Sequence, residues 1–242
     1  MDLSTLPTAG ELMPLSPASA PHWRPGLACA LHGEVFAGGS EASGAALALA
    51  LATDGLGQGA FEQRHVLWVQ DKAALRLTGR PYRPGLPARL RHRVIHVFAT
   101  TPEDALFALE EGLRCRELAC VIGEIAGNPK ALDFTASRRL TLAAERHGVP
   151  LVLVRLDAAR DLSSARMRWQ VSAAPSPPPR WNAQAPGFPS WRAELFRARA
   201  HPPGEWILRD DGHVLAAEPA PARAPDHGDL ADAAGGRSLA AG

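Results

Sequence analysis

Lysine is nearly missing from this chain. Lys72 and Lys130 are the only two in 242 residues, so arginine supplies almost all of the positive charge. Cysteine is scarce as well. Cys29, Cys115 and Cys120 are too few and too unevenly spaced for a disulfide framework or a zinc site, which points to reduced, structural thiols. Neither sign of charge dominates: the formal net charge is +1, which gives no global attraction to nucleic acid or membrane. No apolar run approaches the roughly 20 residues needed to cross a bilayer. The start "MDLSTLPTAGELMPLSPASAP" lacks the basic-then-apolar order of a secretory signal. A cytoplasmic protein with no membrane segment is the expectation. There is no internal repeat.

What is present is ample apolar material, 46% of the chain, enough for the core of one α/β domain. Residues 1–25, rich in Pro, Ala and Ser, are expected to be loosely ordered, residues 26–216 to form the domain, and 217–242 to be a disordered tail. The tail has too few large apolar residues to offset its ordering entropy. Within the domain, "LHGEVF" (31–36), "HVLWVQ" (65–70), "RVIHVF" (93–98), "LACVIGEI" (118–125) and "LVLVRL" (151–156) read as strands. Helices are expected at 44–53, 101–114 and 134–147, the last two with Thr101 and Asp133 as caps. Strands separated by helices imply parallel βαβ units, with ligands beyond the carboxyl ends of the strands. After about 165 the pattern changes to the alternation of "MRWQVSA", "WRAELFRA" and "EWILRDD", read as an antiparallel extension on the sheet's edge.

Between the first strand and the first helix lies "GSEASGAA", residues 39–46. Gly39 and Gly44 have the G-x-x-x-x-G spacing of a phosphate-binding loop, and the strand–loop–helix context suits one. The chemistry does not follow. Such a site needs a lysine on the β- and γ-phosphates and a hydroxyl on Mg²⁺, but Ala45 and Ala46 stand at those positions. Losing the lysine alone forfeits about 1.5–3 kcal/mol. Glu41 adds a negative charge inside the loop. The expectation is a degenerate loop that turns the chain, with no cofactor, no metal and no ATPase activity.

With this loop in place, the segment from about 27 to 210 resembles the ATPase core of the RecA recombinase family, and more closely the ImuA family. The resemblance rests on "LHGEVFAGG", "ALEEGLRC", "LDFTASRRLTLAAE" and "GEWIL". It implies a RecA-like P-loop core with a mostly parallel sheet and antiparallel C-terminal strands. It also implies an accessory factor of SOS-induced, error-prone translesion synthesis. The implied partners are ImuB, a catalytically inactive relative of Y-family polymerases, and an error-prone replicative-type polymerase. An ATP-dependent DNA-binding protein, or a regulator of the recombinase RecA and its filament, is the alternative. On the same resemblance, Lys72 aligns near the recombinase's catalytic carboxylate, with Asp71 adjacent, and Glu124 stands where the family has a metal-associated acid. A helix cap or salt bridge is the simpler role for Glu124. The short "DAARDLSSA" after 151–156 argues against strand exchange by this chain alone.

Residues 155–209 hold nine arginines against four acidic residues, with tryptophans interleaved. Arg166, Arg168, Trp169, Arg192, Arg197 and Arg199 are therefore candidates for contact with DNA or an acidic partner. The simpler reading is a solvated strand face with tryptophans packed beneath. His32, His65 and His96 lie in or beside strands without metal-ligand spacing and are expected to be packed or surface residues.

Overall fold

A computed structural model describes residues 31–55, 63–179, 182–199, 201–210 and 215–221. The expectations of loose order for 1–25 and of disorder beyond 221 lie outside the described residues, as do Cys29 and the stretches at 56–62 and 211–214.

Five strands come first: β1 (His32–Ala37), β2 (His65–Asp71), β3 (Val94–Ala99), β4 (Leu118–Ala126) and β5 (Leu151–Leu156). They are followed by β6 (Met167–Ala173), β7 (Ser190–Ala198), β8 (Gly204–Asp210) and β9 (Leu215–Pro219). All nine join one sheet in the order β3-β2-β4-β5-β1-β6-β7-β8-β9. Pairing is parallel from β3 through β6 and antiparallel from β6 to β9. The mostly parallel sheet with antiparallel C-terminal strands is the expected α/β architecture.

Helices cover the two faces unequally. α1 (Ser43–Gly55) and the short α2 (Lys72–Thr78) lie on one side, where Leu47, Leu51 and Ala74 share a core with Val35, Trp68, Val152, Val154 and Trp169. α3 (Pro102–Arg114) and α4 (Phe134–His147) lie on the other, where Leu109, Leu113 and Leu140 pack on Leu67, Val121 and Leu153. Local chemistry sets their ends. The Thr101 hydroxyl accepts the Asp104 amide at 3.1 Å to start α3, and the Asp133 carboxylate accepts the Ala136 amide at 2.7 Å to start α4.

Two expectations are corrected. β6 opens the antiparallel extension by pairing with β7, but its other neighbour is β1, to which it is parallel, with Gly33 opposite Met167 and Val35 opposite Trp169. Consecutive parallel strands need a crossover, and residues 157–166 carry the chain from β5 past β1 to β6 without a helix. Their hydroxyls bond down onto α4 and β1 instead. Residues 217–219, expected in the tail, belong instead to β9, whose Leu215 is buried against the α1-side core.

Candidate functional site

The glycine loop leaves the carboxyl end of β1 and enters α1, as the sequence pattern requires, but its first glycine amide and the space around it are already taken. The Gly39 amide donates to the Asp157 carboxylate at 2.8 Å. Asp157 follows β5 directly and holds φ of 49°, a left-handed conformation that Asp tolerates better than most residues. A Cβ on Gly39 would stand 2.6 Å from Asp157 Oδ2 and 2.9 Å from Leu77 Cδ1, so a carboxylate and an apolar side chain of α2 crowd this part of the loop. Glu41 does not project outward. Its carboxylate accepts the Ser43 hydroxyl at 2.8 Å and the Ala173 amide at 3.1 Å. The loop is therefore tied to the ends of β5 and β6 on either side of β1.

Gly44 has a packing reason of its own. A Cβ there would lie 2.8 Å from both Ala37 Cβ and Val154 Cγ1, distances that only a shift of α1 off the sheet could relieve. The phosphate-loop spacing is thus kept by close approach of helix to strand, independently of any phosphate. Gly44→Ala is expected to destabilise the fold by about 1–3 kcal/mol through overpacking, despite alanine's better helix propensity. A fall in urea midpoint at unchanged slope would record it.

The neighbouring strand ends add acid rather than base. Asp71 caps α2, accepting the Ala74 amide at 2.6 Å, and Lys72 beside it is exposed. Glu124 is buried and is neither a cap nor a salt-bridge partner among the described residues. It accepts Trp68 Nε1–H at 2.6 Å and the Thr78 hydroxyl at 2.9 Å. Gln70 extends the chain, donating to Thr78 Oγ1 at 3.1 Å and lying 2.8 Å from His96 Nε2. Burial pushes both Asp71 and Glu124 above the usual carboxylate range. Glu41, Asp71, Glu124 and Asp157 thus gather at the carboxyl ends of β1, β2, β4 and β5. A triphosphate entering here would meet like charge, displace Asp157 from Gly39, and find neither ammonium nor hydroxyl at Ala45 and Ala46. These residues do not fit ATP with Mg²⁺. No group of three or more His, Cys, Asp and Glu among the described residues is placed to hold a metal ion.

The arginine-rich region divides sharply. Arg168 and Trp169, candidates for DNA or partner contact, are only 3% and 1% exposed and are withdrawn from that role. Trp169 is core. Arg168 faces the opposite side of β6, where its Nε donates to Glu34 at 2.7 Å, while Glu34 also accepts the Ser163 hydroxyl at 2.6 Å. Arg155, equally buried, donates to the Gly127 carbonyl at 3.2 Å and lies 3.4 Å from Asp161. Both guanidiniums approach the Phe36 ring, at 5.5 Å and 5.0 Å from its centroid. Of the other candidates, Arg166 pairs with Glu145 and Arg192 with Glu205, whereas Arg197 and Arg199 are exposed. Arg197 and Arg199 do converge, with Arg138, Arg166, Phe134 and Leu142, on an open groove of about 560 Å³.

Sequence reasoning missed Asp157, Glu34 and Arg138. A carboxylate directly after a buried strand is a usable signal for Asp157. The partnership of Glu34 with Arg168 spans 134 positions and leaves no local trace.

No helix among the described residues is long and apolar enough to cross a membrane. No family model matches the chain. Two proteins named Protein ImuA, from two strains of Caulobacter vibrioides, are each 35% identical to it over 165 residues. The match covers 61% of this chain and 62% of each relative's length. The chain is thus similar to ImuA proteins, spanning less than two thirds of their length, and its mostly parallel sheet with antiparallel C-terminal strands is compatible with a RecA-like core.

Proposed function

We propose that this chain is a non-catalytic RecA-like accessory factor of SOS-induced, error-prone translesion synthesis. It acts by docking on an ImuB-like inactive Y-family polymerase and helping to bring an error-prone replicative-type polymerase to damaged DNA. Similarity to the two ImuA proteins supports the mutagenesis context. The observation that carries the non-catalytic part is the Gly39 amide bound to Asp157, with Ala45 and Ala46 behind it. A motor of this fold couples movement to a triphosphate, and here the first glycine amide of the loop is bonded to Asp157 while Ala45 and Ala46 supply neither ammonium nor hydroxyl.

Docking leaves the work to surface complementarity: apolar burial at the centre of an interface and charged contacts around it. Co-expression with the ImuB-like partner tests the proposal. A complex that co-purifies through gel filtration is the expected result. Absence of any complex, under conditions where both proteins are folded, contradicts the docking role.

A further inference from the structure

We propose that the groove between α4 and the adjoining ends of β6 and β7 is a docking site for an acidic peptide segment of another protein, one carrying large apolar side chains. This rests on the docking role above and adds the place and the chemistry of the contact.

One wall is a single face of α4. Phe134, Arg138 and Leu142 recur at intervals of four and therefore stand one above another. The other wall is Arg166, Arg197 and Arg199, brought together because the Arg199 amide donates to the Arg166 carbonyl at 3.1 Å, continuing the β6–β7 ladder. The floor is rigid. The Ser164 amide donates to Ser137 Oγ at 2.7 Å, and Ser164 Oγ lies 2.6 Å from Thr141 Oγ1.

Two features of this surface lack an internal purpose. Phe134 and Leu142 are 47% and 52% exposed, although α4 already buries Leu140 and Ala144 on its sheet-facing side. Arg138, Arg197 and Arg199 form no ion pair among the described residues, unlike Arg166 with Glu145. Three guanidiniums converging without a carboxylate repel one another, and an anion relieves that repulsion. Apolar side chains left in water beside them gain by being covered.

The combination favours peptide over single-stranded nucleic acid. Stacking of bases needs aromatic platforms, and among the described residues Phe134 is the one aromatic side chain lining the groove. Leu142 offers a base nothing comparable, but it suits an aliphatic or aromatic side chain of a peptide. Arginine forks pair with carboxylates of Asp or Glu in bidentate fashion. Because these arginines are solvent-exposed, the attraction is salt-sensitive.

Fluorescence anisotropy on the full chain provides the test. The probe is a labelled synthetic peptide alternating Glu or Asp with Leu and Phe. Its controls are the same peptide with Gln and Asn for the acids, and an oligothymidylate of similar charge. Arg197→Glu and Leu142→Ser, both at exposed positions, are compared with the parent after circular dichroism shows equal folding. The expected result is binding of the acidic peptide, weakened about tenfold by either substitution and by added salt, with little binding of the neutral peptide. Two results overturn the proposal: no binding of the acidic peptide, or oligothymidylate binding as tightly and indifferently to Leu142→Ser. Co-purification separates this from the docking role. If the parent chain holds the ImuB-like partner and Arg197→Glu holds it equally well, the groove assignment fails alone. If the parent chain holds no partner, the docking role fails, whatever the peptide does.

Discussion

Glu34→Ala is expected to cost about 3–5 kcal/mol of folding stability, a large part of the 5–15 kcal/mol typical of a domain. Glu34 is fully buried on β1 and takes two donors, Arg168 Nε and the Ser163 hydroxyl. Its removal leaves a guanidinium in a site closed to water. The nearest other carboxylate, Asp161, is 3.8 Å from Arg168 and already shared with Arg155. Phe36 and Phe196, with ring centroids 5.0 and 5.2 Å from the guanidinium, hold it through their faces but cannot accept its hydrogen bonds. The same change unties Ser163 and with it the crossover that covers β1. Urea unfolding checks the magnitude, and a loss below about 1 kcal/mol would mean that the pair is solvated. The double variant Glu34→Leu with Arg168→Met, which removes both charges, is expected to be more stable than Glu34→Ala.

The second large effect is a loss of stability on mild acidification, centred on His32. Its ring is buried, with Nδ1 2.7 Å from Thr141 Oγ1. Thr141 Oγ1 also lies 3.1 Å from the Ser137 carbonyl and 2.6 Å from Ser164 Oγ, so the ring is held in a closed polar cluster at its Nδ1 side. Its Nε2 is buried and without a partner among the described residues. Burial lowers the pKa to about 4; Glu34 opposes this, and Arg166 and Arg168 reinforce it, with Glu145 a smaller opposing influence.

Above pH 6.5 His32 is neutral in the folded and unfolded chain alike, and the full stability is present. Between there and pH 4 the unfolded chain takes up a proton that the folded chain refuses, so stability falls, by about 3 kcal/mol in all. Below that both forms are protonated and the loss levels off. Asp71 and Glu124, raised by burial, act in the opposite direction, and His96, lowered by burial, acts in the same one. The difference between the parent and His32→Asn isolates the imidazole. Unfolding free energies of the two are expected to converge as pH falls from 6.5 to 4, and parallel curves would contradict the assignment.

The elements best read from sequence are those whose signals are local. "LVLVRL" is a continuous apolar run between Pro150 and Asp157, and β5 has those bounds. α4 is announced by Asp133 and stopped at Gly148. α2 was not read from the sequence, because seven residues are too short to show periodicity and Asp71 alone marks its start. Alternation in "MRWQV" correctly separates Met167, Trp169 and Val171 from Arg168 and Gln170. It cannot say which strand lies alongside. Lying between β1 and β7, β6 is central, and its second face is roofed by the 157–166 crossover, so Arg168 is buried where the pattern suggests solvent. The candidate groove was half visible: Arg166, Arg197 and Arg199 stood out by composition, whereas Phe134, Arg138 and Leu142 belong to a helix far away in sequence and meet them only through the fold.

The glycine loop was read from what it lacks, and the structure adds what it has instead: Asp157 on the Gly39 amide, Glu41 folded back on Ser43 and Ala173, and Gly44 wedged against Ala37 and Val154. The account stands on a phosphate loop whose Gly39 amide and Ser43 hydroxyl are committed to the chain's own carboxylates and whose helix start lacks lysine. Isothermal titration of the full chain with ATP and Mg²⁺ tests it most directly. No heat of binding up to millimolar nucleotide is the predicted result; saturable binding in the micromolar range would contradict it.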